Sequence, residues 1–140
     1  MITFDISSGS NYFESAKTIF EQIKNNDKLV LFVNGSMGVG KTTFSRSLIK
    51  MYGGTNVNSA SYGIVSKISC DFCILHCDFY RYEPNDLFFE TEIQPLLSDK
   101  YLLLLEWASP QITFSNALHY HLEIILLDNG TRNLKFSKFN

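Results

Sequence analysis

Residues Gly35-Ser36-Met37-Gly38-Val39-Gly40-Lys41-Thr42, followed by Thr43, satisfy the pattern G-x-x-x-x-G-K-[S/T] in full. Glycines at those positions let successive backbone N–H groups converge on phosphate oxygens, and the helix that starts there adds a favourable partial charge. Lys41 would neutralise the β and γ phosphates, and the Thr42 hydroxyl would reach Mg²⁺. The apolar run before the loop and the amphipathic pattern after it are the required strand and helix. An incidental glycine-rich turn would lack both. A nucleoside triphosphate is the expected ligand.

Hydrolysis needs more than a phosphate cradle: a carboxylate to anchor the metal and a group to orient water. Glu106 follows the run Tyr101 to Leu105, at the C-terminal end of a buried strand, where open α/β sheets bind ligands. It is read as the metal-anchoring acid. Asp78 closes a second apolar run, Cys73 to Cys77, and emerges at the same sheet edge if the two strands are parallel; its other reading is a capping or turn acid. Between the phosphate-loop helix and Asp78, Asn56-Val57-Asn58-Ser59-Ala60-Ser61-Tyr62 is a polar segment where small NTPases keep a loop that senses the γ phosphate. Ser59 or Ser61 could offer a hydroxyl there, against the alternative of a plain turn. Arg81 is read as a solvated residue or a stabiliser of transition-state charge, and Trp107 as core packing beside Glu106.

Cys70, Cys73, His76 and Cys77 raise a zinc site as a possibility. On a strand, however, Cys73 and Cys77 share a face roughly 13 Å apart while His76 points to the other. Tetrahedral zinc needs its ligands at about 2.0 to 2.3 Å. Buried free thiols are the favoured reading.

These residues need elements to hold them. Ile2 to Ile6 alternates as a strand, and Tyr12, Ala16, Ile19 and Ile23 recur at helical spacing behind the polar cluster Ser7 to Asn11. Leu29 to Val33 reads as a central strand buried on both faces. Phe44, Leu48, Ile49 and Tyr52 form one helical face stopped by Gly53-Gly54. Tyr62 to Ile68 and Phe72 to Asp78 read as paired strands, Pro84 as the start of a helix reaching about Leu97, and Asp128-Asn129-Gly130 as the turn of a C-terminal hairpin. The expectation is an α/β domain over residues 1–140, with a mixed, mainly parallel central sheet, few flanking helices and that hairpin. With 140 residues, 45% of them hydrophobic, the chain can bury one core but has no room for a second catalytic domain. A net charge of −2 and three scattered Arg argue against a broad nucleic-acid surface. Met1 to Ser8 lacks the pattern of a secretory leader, and no apolar run approaches a membrane span. A cytoplasmic protein is expected.

Taken in order, G-S-M-G-V-G-K-T-T-F-S-R, N-S-A-S-Y, H-C-D-F-Y-R and L-L-E-W resemble the TsaE (YjeE) family of bacterial ATPases over most of the chain. The H-x-D-x-Y-R and E-W pieces are far more specific than the phosphate loop. The resemblance implies that Gly38 to Thr43 hold ATP phosphates, that Thr42 and Glu106 bind Mg²⁺, and that Asp78 belongs to the hydrolytic centre. It implies TsaB and TsaD partners, which carry the transfer of threonylcarbamoyl groups onto adenosine of tRNA, so that tRNA is met only through the complex. Arg132 matches an Arg of the family's last hairpin, on the nucleotide side. The chain departs from the family at Ser36, at Ala60 where S-P-T is usual, at Ala108 where E-W-P is usual, and in lacking a Gly in Leu87 to Ile93. These departures bear on turnover and loop rigidity more than on nucleotide binding.

Other classes fit less well. A small P-loop kinase needs an Arg-rich lid and a second-substrate site, and no N-K-x-D guanine-reading motif supports a GTPase switch. A nucleotide-binding adaptor without turnover remains the alternative to an ATPase.

Overall fold

Leu29 to Val33 and Tyr101 to Leu105 contain no polar alternation, so each must be covered on both faces. The computed structural model, which describes residues 2–6, 12–54, 57–60 and 63–139, sets them side by side as parallel neighbours. They form β2 (Lys28–Gly35) and β6 (Tyr101–Glu106), paired from Lys28–Tyr101 to Val33–Glu106. Parallel to β6 on its other side runs β5 (Cys73–Asp78), in a register that sets Asp78 opposite Glu106.

The remaining strands are β1 (Ile2–Ile6), β3 (Val57–Ala60), β4 (Val65–Ser69), β7 (Leu118–Leu126) and β8 (Arg132–Phe139). All eight join one sheet in the order β1-β8-β7-β2-β6-β5-β4-β3. β5, β6, β2 and β7 are the parallel centre, and antiparallel strands close both edges. This is the α/β architecture expected, with the C-terminal hairpin of β7 and β8 folded into the sheet.

Two helices pack on one face: α1 (Phe13–Ile23) and α2 (Lys41–Met51). Ile19, Ile23, Phe44 and Leu48 meet Leu29, Leu31, Val33 and Leu104 there. On the opposite face Val30, Phe32, Leu103 and Leu105 meet Phe79, Phe88, Ile93 and Phe114. Full burial of each such side chain contributes about 1.5 to 3 kcal/mol, so the twice-covered central strands are the fixed platform of the site.

Four expectations change. The helix expected from Pro84 starts instead behind Asn85, whose side chain accepts the Phe88 N–H at 2.9 Å. It is also not one helix: α3 (Asp86–Phe88) opens into a π turn over Phe89–Ile93 and tightens to a 3₁₀ turn at Gln94–Leu96. The wider i→i+5 turn lets Phe88 and Ile93, five residues apart, both bury against the sheet. The polar segment read as a loop runs in part as β3, an edge strand held by its backbone ladder to β4. And β7 begins at Leu118, four residues before the alternation at Leu122. Residues 7–11, Ser61 and Tyr62, which figured in the expectations above, lie outside the described residues. No helix among the described residues is long and apolar enough to cross a membrane.

On β5, Cys73 and Cys77 face the cluster beneath α3 together with Leu75, while His76 faces α2. All three cysteines are free thiols.

Candidate functional site

The phosphate-loop motif begins at the last residue of β2, and Lys41 opens α2. Gly38 and Gly40 have φ of +79° and +105°, conformations that side-chain-bearing residues rarely adopt, and the loop turns on them. Lys41 is buried, with Nζ donating to the carbonyls of Gly35 and Ser36 at 2.9 Å each. Its ammonium also lies 4.0 Å from the centroid of the Trp107 ring. Burial lowers the Lys41 pKa, and the carboxylates of Glu106 and Asp78 oppose that shift.

Glu106, at the end of β6, is only 1% exposed. Thr42 donates its hydroxyl to this carboxylate, at 3.0 Å to Oε1 and 3.3 Å to Oε2. From the other side His76 Nε2 meets Oε2. A buried carboxylate is costly unless it is paired or hydrogen-bonded, and here two side chains from two elements, Thr42 of α2 and His76 of β5, serve that purpose. Asp78 differs: it is exposed, and its Oδ1 accepts the Tyr80 N–H at 3.0 Å in a tight turn.

A cavity of about 510 Å³ opens over these groups, within the range of small-molecule sites. Its floor is Gly38, Gly40, Lys41, Thr42 and Thr43; its wall is Asp78, Tyr80, Arg81, Glu106 and Trp107; Met37 stands at the rim. Of the predicted site residues, Met37, Gly38, Gly40, Lys41, Thr42, Thr43, Asp78 and Glu106 therefore come together. The carbonyls of Gly35 and Ser36 accept from Lys41 Nζ, and Val39 is buried beneath the loop. Arg132 is not among the lining residues: its guanidinium lies 5.6 Å from the ring of Tyr12, behind the loop. Ser61 is outside the described residues, and Ser59 stands in β3.

Trp107 is not core packing as expected. Strand alternation would turn it away from Lys41, since Leu105 buries on the opposite face and Glu106 faces Thr42. A φ of +62°, rare for a bulky residue, reverses its direction, leaves it 36% exposed and brings its ring, tilted by 52°, to 4.9 Å from that of Tyr80. Nothing in the local sequence announces that backbone turn. His76 is weighed in the sequence as a metal ligand and quoted within H-x-D-x-Y-R, with no contact to Glu106 expected of it; its spacing of two from Asp78 on a strand is the signal that it shares Asp78's face.

Comparison with known proteins follows the same lines. Residues 6–134 match the family model "Threonylcarbamoyl adenosine biosynthesis protein TsaE". The tRNA threonylcarbamoyladenosine biosynthesis protein TsaE of Rickettsia bellii is 33% identical over 96 residues, which span 66% of this chain and 65% of that protein. The protein of the same description from Rickettsia typhi is 29% identical over 128 residues, 89% of this chain and 87% of its own. Among solved structures, the crystal structure of Bacillus subtilis YdiB superposes with a TM-score of 0.66 at 17% identity, over 99% of this chain and 86% of that one, a likeness of fold.

Proposed function

The chain belongs to the TsaE family of tRNA threonylcarbamoyladenosine biosynthesis, and we propose that in that process it binds ATP with Mg²⁺ and hydrolyses it, acting in the cytoplasm with TsaB- and TsaD-type partners that meet the tRNA. The observation that carries this reading is the convergence of a phosphate loop, a buried lysine, a Thr42–Glu106 pair and Asp78 on one cavity.

In this reading Gly35 to Thr43 cradle the phosphates through backbone N–H groups. Lys41 exchanges two neutral carbonyl partners for a phosphate oxygen, an anionic acceptor that makes a shorter and stronger bond. Thr42 and Glu106 are the groups that would hold Mg²⁺. A hydroxyl and a carboxylate are hard oxygen donors of the kind this ion takes, and one or two protein ligands beside substrate phosphates suffice for it. When bound, the cation would offset the charge of the phosphates and of the carboxylates around it. Asp78, open to the cavity beside Glu106, orients the attacking water or accepts its proton. Trp107 and Tyr80 wall the site and limit water around Lys41. Ser61 is proposed, from the family resemblance, as a hydroxyl on the γ-phosphate side.

The test is Mg²⁺-dependent hydrolysis of ATP and GTP, alone and with a TsaB–TsaD pair. ATP turnover that is slow alone and rises with the pair is expected. Transfer of phosphate to a small molecule would sink the reading, and ATP binding without turnover under any condition would replace it with a nucleotide-binding adaptor.

A further inference from the structure

We propose that Tyr12 is a positioning residue for the phosphate loop, fixing the Val39–Gly40 peptide so that its N–H points into the nucleotide cavity. The inference rests on the phosphate-site reading above and extends it to a residue outside the motif.

Tyr12 stands just before α1, only 1% exposed, 27 residues from the loop in sequence. Its hydroxyl donates to the Val39 carbonyl. No described peptide bond is cis, and in a trans peptide the C=O and the following N–H point in opposite directions. A Val39 carbonyl drawn back to Tyr12 therefore sends the Gly40 N–H forward, toward the cavity that Gly38, Gly40, Lys41 and Thr42 line. The opposite orientation would present a carbonyl dipole to phosphate and break the Tyr12–Val39 hydrogen bond.

The ring fixes the same peptide by contact. A Cβ built on Gly40 would come within 2.6 Å of Tyr12 Cε2 and 2.8 Å of its hydroxyl oxygen, so only hydrogen fits between them. Phe44, one turn into α2, meets the ring edge-on at 6.0 Å between centroids. Arg132 of β8 covers it at 5.6 Å. Burial raises the phenol pKa, against the opposing pull of Arg132, and the hydroxyl stays a donor. Arg132 thus reaches the loop through Tyr12, which accounts for its absence from the cavity wall.

The experiment compares wild type with Tyr12→Phe for pyrophosphate, ADP and adenosine, at a temperature where both proteins are folded, and follows the Gly40 amide of ¹⁵N-labelled wild type by NMR. The expected result is an equal loss of pyrophosphate and ADP affinity, about three- to ten-fold for one lost hydrogen bond, with adenosine unaffected. The Gly40 amide should shift on adding pyrophosphate to wild type. If wild type binds pyrophosphate and Tyr12→Phe matches it within experimental error, the inference fails while the phosphate site stands. A Gly40 amide that stays still while pyrophosphate binds overturns it as well, even should Tyr12→Phe not fold. Wild type that binds neither pyrophosphate nor ADP overturns the phosphate site itself.

Discussion

Asp78 and Glu106 sit opposite one another across the β5–β6 ladder, on the same face of the sheet, yet one is exposed and the other is 1% exposed. The two side chains carry the same carboxylate. Their surroundings separate them: Glu106 has Thr42 on one flank and His76 on the other, whereas Asp78 accepts the backbone N–H of Tyr80 in an open turn. A carboxylate held by side chains on two sides is preorganised for a cation, and one left at an open rim can follow a water or a substrate. The parallel register delivers two acids to one edge, and in the proposed reading the neighbouring helix and strand set their division of labour.

If that division is right, Glu106→Ala should have the largest effect, a fall in ATP turnover of about 10³-fold, as for loss of a group aimed at developing charge. Steady-state kinetics at saturating Mg²⁺ measure it, and retention of normal turnover would end the metal assignment. Asp78→Asn should cost roughly 10²-fold in kcat with little change in KM, the signature of an interaction made in the transition state. A rise in KM alone would instead make Asp78 a binding residue.

His76→Leu sharpens the contrast from the other side. It removes a contact to Glu106 while sparing both acids, so Mg²⁺ affinity should weaken about ten-fold, as for residues that orient metal ligands. Nucleotide affinity measured without metal should stay unchanged; a loss there would assign His76 to the fold.

The smallest effect concerns the far side of the sheet. His119 Nε2 accepts the Phe114 N–H at 3.0 Å, a bond only an unprotonated nitrogen can accept. Burial lowers the His119 pKa, and a hydrogen bond to the Ala117 backbone pulls it back only in part. The unfolded chain then binds the proton more readily than the folded one. Stability should be full above the ordinary histidine pKa near 6.5 and fall as pH drops from there toward the folded-state value, by at most about 1.4 kcal/mol per pH unit for this group. Denaturant melts between pH 8 and 5.5 follow it, and His119→Asn should flatten the slope. Turnover assigned to Glu106 and Asp78 should not depend on that substitution.

Much of the centre was readable because its determinants are local. Leu29 to Val33 and Tyr101 to Leu105 declare doubly buried strands, and G-x-x-x-x-G-K-T declares the turn between strand and helix. Glu106 and Asp78 follow from their places at strand ends. The unread parts depend on pairings, packing and backbone turns that side-chain periodicity does not encode. β3 pairs with β4 through its backbone, and side-chain patterning does not announce that pairing. The π turn at Phe89–Ile93 answers to burial of Phe88 and Ile93 against the sheet, and helical periodicity carries no sign of it. Tyr12 fitted its helical pattern, so nothing in its spacing revealed the Val39 carbonyl it would meet. Trp107 turned on a single positive φ.

The division between the two acids is tested most directly by Mn²⁺ electron paramagnetic resonance, with Mn²⁺ in place of Mg²⁺ and a non-hydrolysable ATP analogue present. The bound-Mn²⁺ signal should be present in wild type and in Asp78→Asn and be lost or weakened at least about ten-fold in Glu106→Gln. A bound signal that survives Glu106→Gln and disappears in Asp78→Asn would contradict the account and exchange the roles of the two carboxylates.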